Sequence, residues 1–356
     1  MTHTVSPVDT AAQRVLDSAL GAVDLIAIYL GDRLGWYRSL VTDGPAAADE
    51  LATRTGTDPR YAREWLEQQA VTGLLEVDDD DPPRFTLPPA VAEVLTDEQS
   101  LNYLGPLARM FAGVSVQLPA LLDAYRTGGG VSWAQLGTDA RESQADMNRP
   151  WYEKALPGAL ASVPDLDALL RRPGAVIADI GCGGAWSTIA LARAYPQARL
   201  FAVDIDPATV ALARTNVAAC PDVADRVTVV EADAAGLPHE RFTAAFAFEC
   251  VHDMPRPVEV LSAVRGALAP DGVMVVMDEA VADRFTAPGD EVERLMYGFS
   301  IVCCLPDGMS HPPSAGTGTV MRADTLRRYA LDAGFSDVSV LPIEDFGFWR
   351  FYRLAP

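Results

Sequence analysis

Apolar positions recur along the chain in three different rhythms. Between residues 10 and 30, Val15, Ala19, Val23, Ile26 and Leu30 fall at spacings of three and four, which predicts a helix with one apolar stripe. A short helix over 46–52 follows, then a turn at Gly56 and a second helix opened by Asp58-Pro59. Asp58 suits the N-cap and Pro59 the first helical position. On that helix Tyr61, Trp65, Leu66 and Ala70 mark the expected inward face. Residues 73–77 and 84–87 flank four aspartates at 78–81 and read as a β-hairpin. Together these elements predict a winged helix over 1–98. Residues 99–170 are helical pieces broken by glycines and prolines, a connector. After 171 the rhythm changes again. Apolar runs at 175–180, 199–203, 227–230, 244–248 and 272–277 alternate with helices, the pattern of a parallel sheet covered on both faces. The last two runs, 338–341 and 348–352, are joined by a short loop and predict an antiparallel hairpin. The expected class is α/β: a Rossmann-like seven-stranded sheet over 171–356 with a terminal antiparallel hairpin, preceded by a mostly helical winged-helix domain.

Composition narrows the function classes. The chain carries 28 basic and 49 acidic residues, a formal charge of −21, and a hydrophobic fraction of 49%, ample for a large core. This balance argues against a surface built for phosphate backbones or anionic lipid. No run of about 18 apolar residues is present, so a spanning helix is not expected. Met-Thr-His-Thr-Val at the start lacks the basic and apolar regions of a secretory leader. Five scattered cysteines (Cys182, Cys220, Cys250, Cys303, Cys304) do not make a disulfide scaffold. Reduced thiols and a cytoplasmic location are expected. A winged helix invites a DNA-binding reading, but residues 1–100 hold seven arginines, no lysine and eighteen acids, a net −11. The wing tip is four aspartates where a DNA-reading wing carries Lys or Arg, so no nucleic-acid partner is expected.

The candidate chemistry starts at Asp179-Ile-Gly181-Cys182-Gly183-Gly-Ala185, between a strand and a helix, where glycines let a ligand approach the backbone. Asp204 ends the second strand of the sheet, where a carboxylate can accept from ribose hydroxyls. Asp233 ends the third, where it can accept from an adenine amino group. A doubly wound domain binding NAD competes for this loop. Its fingerprint would put a third glycine at 186, where Trp186 stands.

These motifs, with Val203-Asp204-Ile-Asp206, Glu231-Ala-Asp233 and the final hairpin, resemble those of class I S-adenosylmethionine-dependent methyltransferases. The likeness covers roughly 171–354 and departs at Ala185, where many relatives have a third glycine. It implies S-adenosyl-L-methionine as cofactor and S-adenosyl-L-homocysteine as product. The cofactor-binding positions it implies are Asp179, Gly181, Cys182, Gly183, Ala185, Asp204, Ile205, Asp233, Ala234, Phe248 and Glu249. A sulfonium methyl is already electrophilic, so the protein chiefly positions the acceptor and excludes water.

Phe248-Glu-Cys-Val-His252-Asp-Met-Pro255 resembles the His-Asp-Trp stretch of winged-helix small-molecule O-methyltransferases, with Met254 in place of the tryptophan. That likeness makes His252 the candidate general base on a hydroxyl. The residues alone also allow His252 to cap the helix near 257 or to line the pocket. Asp278 and Glu279 after the fifth strand could orient it, or could be a solvated turn. A helix expected over 291–305 places Tyr297, Ser300, Ile301 and Cys304 on one face, either as packing or as acceptor contacts. Tyr152, Asp278, Glu279, Tyr297, Ser300 and Cys304 are the candidate substrate residues. The Gly/Pro-rich loop 310–318 could close the site. Neither Cys250/His252 nor Cys303/Cys304/His311 has the paired spacing of structural zinc, so no metal is expected. The whole arrangement is similar to a group of actinobacterial methyltransferases. In the related O-methyltransferases the N-terminal domain makes the homodimer, which implies a role for the stripe on 10–30. The reaction expected is methyl transfer to a small hydroxyl compound. N- or C-methylation, a repurposed sulfonium-binding enzyme that decarboxylates or rearranges, and a ligand-binding winged-helix regulator remain as alternatives.

Overall fold

The first apolar stripe forms a helix, and most of it faces outward. The computed structural model describes residues 6–237 and 241–356; the leader expectation for residues 1–5 falls outside the described residues. Helix α1 (Pro7–Arg33) starts at a capping box between Ser6 and Asp9. It packs through Ala27 and Gly31, not through the stripe. Trp65 Nε1 donates to the Ala27 carbonyl at 2.9 Å, and a methyl group on Gly31 would run into the Trp65 and Tyr37 rings. Val15 is 71% and Ile26 61% exposed. Helices α2 (Trp36–Thr42), α3 (Ala48–Thr55) and α4 (Pro59–Val71) complete the bundle, with Asp58 capping α4 through the Arg60 and Tyr61 amides. The inward face of α4 is Ala62, Trp65, Leu66 and Gln69. Tyr61, expected among them, is 74% exposed; at about 100° per residue it lies a quarter-turn from that face. The wing is shorter than the apolar runs suggested: β1 (Glu76–Val77) pairs antiparallel with β2 (Phe85–Thr86), and Phe85 also bridges Ala46. Helix α5 (Pro89–Thr96) follows.

The described chain divides into two compact units, the first ending at Ala112 and the second running Gly113–Pro356. Helix α6 (Gly105–Val116) contains the boundary. The second unit opens with α7 (Leu118–Thr127) and α8 (Trp133–Pro150), which kinks at Gly137 (φ +81°). A π-helical turn, Trp151–Ala155, leads to α9 (Leu156–Ala161) and α10 (Pro164–Leu170).

The sheet strands are β3 (Val176–Ile180), β4 (Arg199–Asp204), β5 (Val227–Glu231), β6 (Phe242–Phe248), β7 (Leu268–Glu279), β8 (Asp337–Val340) and β9 (Trp349–Ala355). Their order is β5-β4-β3-β6-β7-β9-β8, parallel through β7 and antiparallel for the last two pairings. The strands bury both faces, so alternate residues feed separate cores. Ile177, Leu200, Ala202, Phe246, Val275 and Met277 face α9, α10 and α11 (Trp186–Ala194). Ala178, Ile180, Val203, Ala245, Met274 and Val276 face α13 (Pro257–Ala267) and α16 (Ala323–Asp332). Helix α12 (Pro207–Ala218) lies between β4 and β5 in the chain. The helix expected over 291–305 is instead α14 (Glu291–Phe299), a π-helical turn at Ser300–Cys304 and α15 (Leu305–Met309). No described helix is long and apolar enough to cross a membrane.

Candidate active site

The carboxyl ends of β3, β4 and β6 meet where the strand order reverses, the place where open α/β sheets bind ligands. The turn after β3 uses three left-handed residues, Gly181 (φ +65°), Gly183 (φ +53°) and Ala185 (φ +62°). A side chain at Gly181 would lie 2.8 Å from Cys250, while one at Gly183 would meet nothing within 4 Å. Gly183 thus keeps open space beside an exposed stretch of backbone. Asp179, on β3, is buried, and its Oδ2 accepts from Ser187 at 2.6 Å and Thr188 at 2.5 Å. Burial raises its pKa to about 6. Its Oδ1 has no partner.

Asp204 binds its own neighbourhood: Oδ2 accepts from the Gly183 amide and Oδ1 from the Asp206 amide, both at 3.0 Å. Each oxygen keeps a second lone pair. Burial pushes its pKa up, so the carboxylate sits where a donor-bearing ligand would relieve it. Ile205 beside it is 66% exposed, an apolar surface at the strand end. Asp233 accepts from the Ala235 amide at 2.9 Å and from Arg256 at 3.0 Å, and it opens the turn Ala234–Gly236. An orphaned acceptor on Asp179, open space over Gly183 and an apolar face at Ile205 fit a ligand with an ammonium end, a ribose and an adenine.

Phe248 and Glu249 end β6. Phe248 stacks on Phe246 and tilts against Tyr152, each at 5.4 Å. Glu249 has φ +50° and is half-buried. It accepts from Asn148 and from Trp349 Nε1, and from Gln144 at 3.3 Å. Burial lifts its pKa to about 7. Sequence reasoning missed these three donors, which lie about a hundred residues from Glu249 and carry no local signal. The same helix, α8, reaches the β4 end through Arg141 to Asp206 (3.1 Å) and the α15 start through the Trp133 amide to Asp307 (2.7 Å).

His252 is 3% exposed, and its Nδ1 stands 3.0 Å from Asp278 Oδ1 and 3.4 Å from Glu279 Oε2. Its Nε2 faces Asp253 Oδ1 at 3.3 Å. Burial works to lower the imidazole pKa, but the Asp278, Glu279 and Asp253 carboxylates outweigh it and hold it well above the ordinary histidine value. Burial works upward on Asp278, yet the His252 charge keeps it below the usual carboxylate range; burial leaves Glu279 well above its own. His252 does not cap α13, whose N-cap is Arg256 with no side-chain bond. Loop 310–318 closes on it: the Gly318 amide donates to the His252 carbonyl at 3.2 Å and that of Ala315 to Pro255 at 2.8 Å.

Of the candidate substrate residues, Asp278, Glu279 and Cys304 gather around His252, Cys304 grouping with His252 and Asp253. Ser300 is buried behind Gly318, and Tyr152 packs on Phe248. The π-helical turn shifts the expected stripe. Tyr297 and Ile301 turn outward, and the Tyr297 hydroxyl accepts from Arg322 at 3.3 Å. The cysteines are free thiols; Cys182, Cys220 and Cys303 are buried.

Comparison with known proteins agrees with this fold. Residues 177–272 match the family model described as a methyltransferase domain, and residues 21–97 that of an Rv2258c-like winged helix–turn–helix domain. The chain is 26% identical over 349 residues to 3-amino-4-hydroxybenzoate 4-O-methyltransferase of Streptomyces cremeus, covering 94% of this chain and 89% of that protein. Among solved structures it shares its fold with mitomycin 7-O-methyltransferase (TM-score 0.74, 21% identity, 97% and 98% of the two chains). It is also similar to PigF bound to S-adenosylhomocysteine (TM-score 0.72, 19% identity, 97% and 99%). The chain carries an S-adenosylmethionine-dependent methyltransferase domain behind an N-terminal winged-helix domain.

Proposed function

We propose that the enzyme methylates a hydroxyl oxygen of a small, partly aromatic acceptor in the cytoplasm, with His252 as the general base. The observation that carries this reading is the His252–Asp278 pair, 3.0 Å apart and buried beside the end of β6. A carboxylate on Nδ1 fixes that nitrogen as the donor and leaves Nε2 to take a proton. The similarity to a 4-O-methyltransferase supports oxygen as the acceptor atom.

When bound, the cofactor supplies an electrophilic methyl carbon. The chain does the rest. Asp204 would receive the ribose hydroxyls and Asp233 the adenine amine, while the Gly181–Ala185 turn would admit the methionine part against its backbone. Ile205 and Ala234 would bound the adenine; Asp179, Cys182, Phe248 and Glu249 would line the rest of the cofactor site. His252 removes the acceptor's proton through Nε2, and Asp278 stabilises the imidazolium that results. Loop 310–318 keeps water from the reacting atoms. His252→Ala should lower kcat by about 10²–10⁴ with little change in cofactor affinity, measured by calorimetry. A product heavier by one CH₂ is expected from the wild type. A fully active His252→Ala enzyme would remove the base assignment.

The exposed α1 stripe, from Val15 to Leu30, is the face through which we expect two copies to pair.

A further inference from the structure

The groups around His252 share one sign of charge. Asp253, Asp278 and Glu279 approach its ring within 3.0–3.4 Å. Asp307 lies in the field of Asp253, and Asp253 in that of Asp278. Glu279 lies in the field of Asp278 and of Glu249. Among the described residues no arginine or lysine pairs with any of these five carboxyls. Asp278 Oδ2 and Glu279 Oε2 are buried with no hydrogen-bond partner. These two carboxyls hydrogen-bond to each other once one is protonated, and their remaining lone pairs beside the base have no donor among the described residues.

Three carboxyls, Asp253, Asp278 and Glu279, face one imidazole, with Glu249 and Asp307 in their field, and the cofactor's sulfonium end would contribute one net positive charge. Burial raises the pKa of Glu249, Asp253, Glu279 and Asp307, so the site already disfavours negative charge, while Asp278 beside His252 is held below the usual carboxylate range. An acceptor carboxylate would add like charge in a poorly solvated space, where each unit interaction is strong. An ammonium or a second hydroxyl would instead bond to the unpaired oxygens. Resting on the methyl-transfer reading above, we propose that the acceptor is a hydroxyl compound bearing an amine or further hydroxyl donors and no carboxylate. In this it departs from the aminohydroxybenzoate named for the Streptomyces cremeus relative. The exterior charge of the protein plays no part in this inference; it comes from the interior groups at the base.

The test uses a panel of phenols of one to four rings, each skeleton made with a side arm ending in ammonium, acetamide or carboxylate. Binding is measured by calorimetry to the full-length protein loaded with S-adenosylhomocysteine. The ammonium member of at least one skeleton should bind, at least tenfold tighter than its carboxylate twin, with the acetamide between them. Equal affinities, a carboxylate ranked first, or no binding by any ammonium member would overturn the proposal. The preference should shrink severalfold in Asp253→Asn, whose charge is lost at nearly constant volume; an undiminished preference would also overturn it. Heat from S-adenosylhomocysteine alone keeps the two readings apart. If it binds and the arm preference fails, only the acceptor class falls; without that heat, both fall.

Discussion

Asp278→Asn tests the base assignment most directly. The carboxylate stands 3.0 Å from His252 Nδ1 and is almost fully buried. An opposite charge this close shifts a pKa by about 1–3 units, about 1.4–4 kcal/mol between the two protonation states. The sign is fixed. Asp278 stabilises the imidazolium, so its removal lowers the His252 pKa, and the acidic limb of the kcat–pH profile should move down by about 1–3 units. The plateau should fall as well. An asparagine can turn its amide toward Nδ1, which puts the ring proton on Nε2, where the acceptor's proton must go. Loss of the correct tautomer in such pairs costs as much as about 10⁴ in rate. Initial rates of product formation from about pH 5 to about pH 10 bracket the limb. Glu279→Gln is the companion: burial raises the Glu279 pKa well above the usual carboxylate range and its oxygen stands farther from Nδ1, at 3.4 Å, so this change should move the limb less. A limb that stays in place or rises in Asp278→Asn, at full plateau, would refute the argument.

Two further changes probe other parts of the molecule. Gly181→Ala forces a side chain into a left-handed backbone (φ +65°) and 2.8 Å from Cys250, so a loss of about 1–3 kcal/mol is expected, read as a lower Tm and weaker cofactor binding; a wild-type Tm would contradict it. Ile26→Asp places a charge in the exposed α1 stripe without touching the contacts of Ala27 and Gly31. Light scattering should show a dimer in the wild type and monomer in the variant at micromolar concentration, and a dimer in both would take the interface off α1.

The sheet was legible in the sequence because strands buried on both faces must be apolar throughout, as 244–248 and 272–277 are. The glycine turn was legible because left-handed backbone leaves few residue choices, although Ala185 shows that the choice is not glycine alone. What escaped was nonlocal or set by small shifts in helical winding. Glu249 is held by Asn148, Gln144 and Trp349, which no spacing rule links. The π-helical turn at Ser300–Cys304 inserts an extra residue into the winding, so a stripe counted at 3.6 residues per turn goes out of phase. Tyr61 misled because an aromatic four residues before Trp65 looks inward-facing, while the true face is centred between Ala62 and Leu66. The negative charge of the base site was missed because Asp253, Asp278, Glu279 and Asp307 come from three separate places in the chain, the loop after β6, the end of β7 and α15.

The strand order carries a consequence for how the molecule is made. β9 follows β8 in the chain but stands between β8 and β7 in the sheet. During synthesis β8 emerges with no edge to join, because its only neighbour is the strand still to come. β9 also brings Trp349 to Glu249, so the last strand to emerge closes the sheet and supplies a donor to the reaction centre in one step. A nascent chain stopped before 349 would leave Glu249 without that partner and β7 without its antiparallel neighbour. Assembly of the working site is therefore coupled to completion of the described chain.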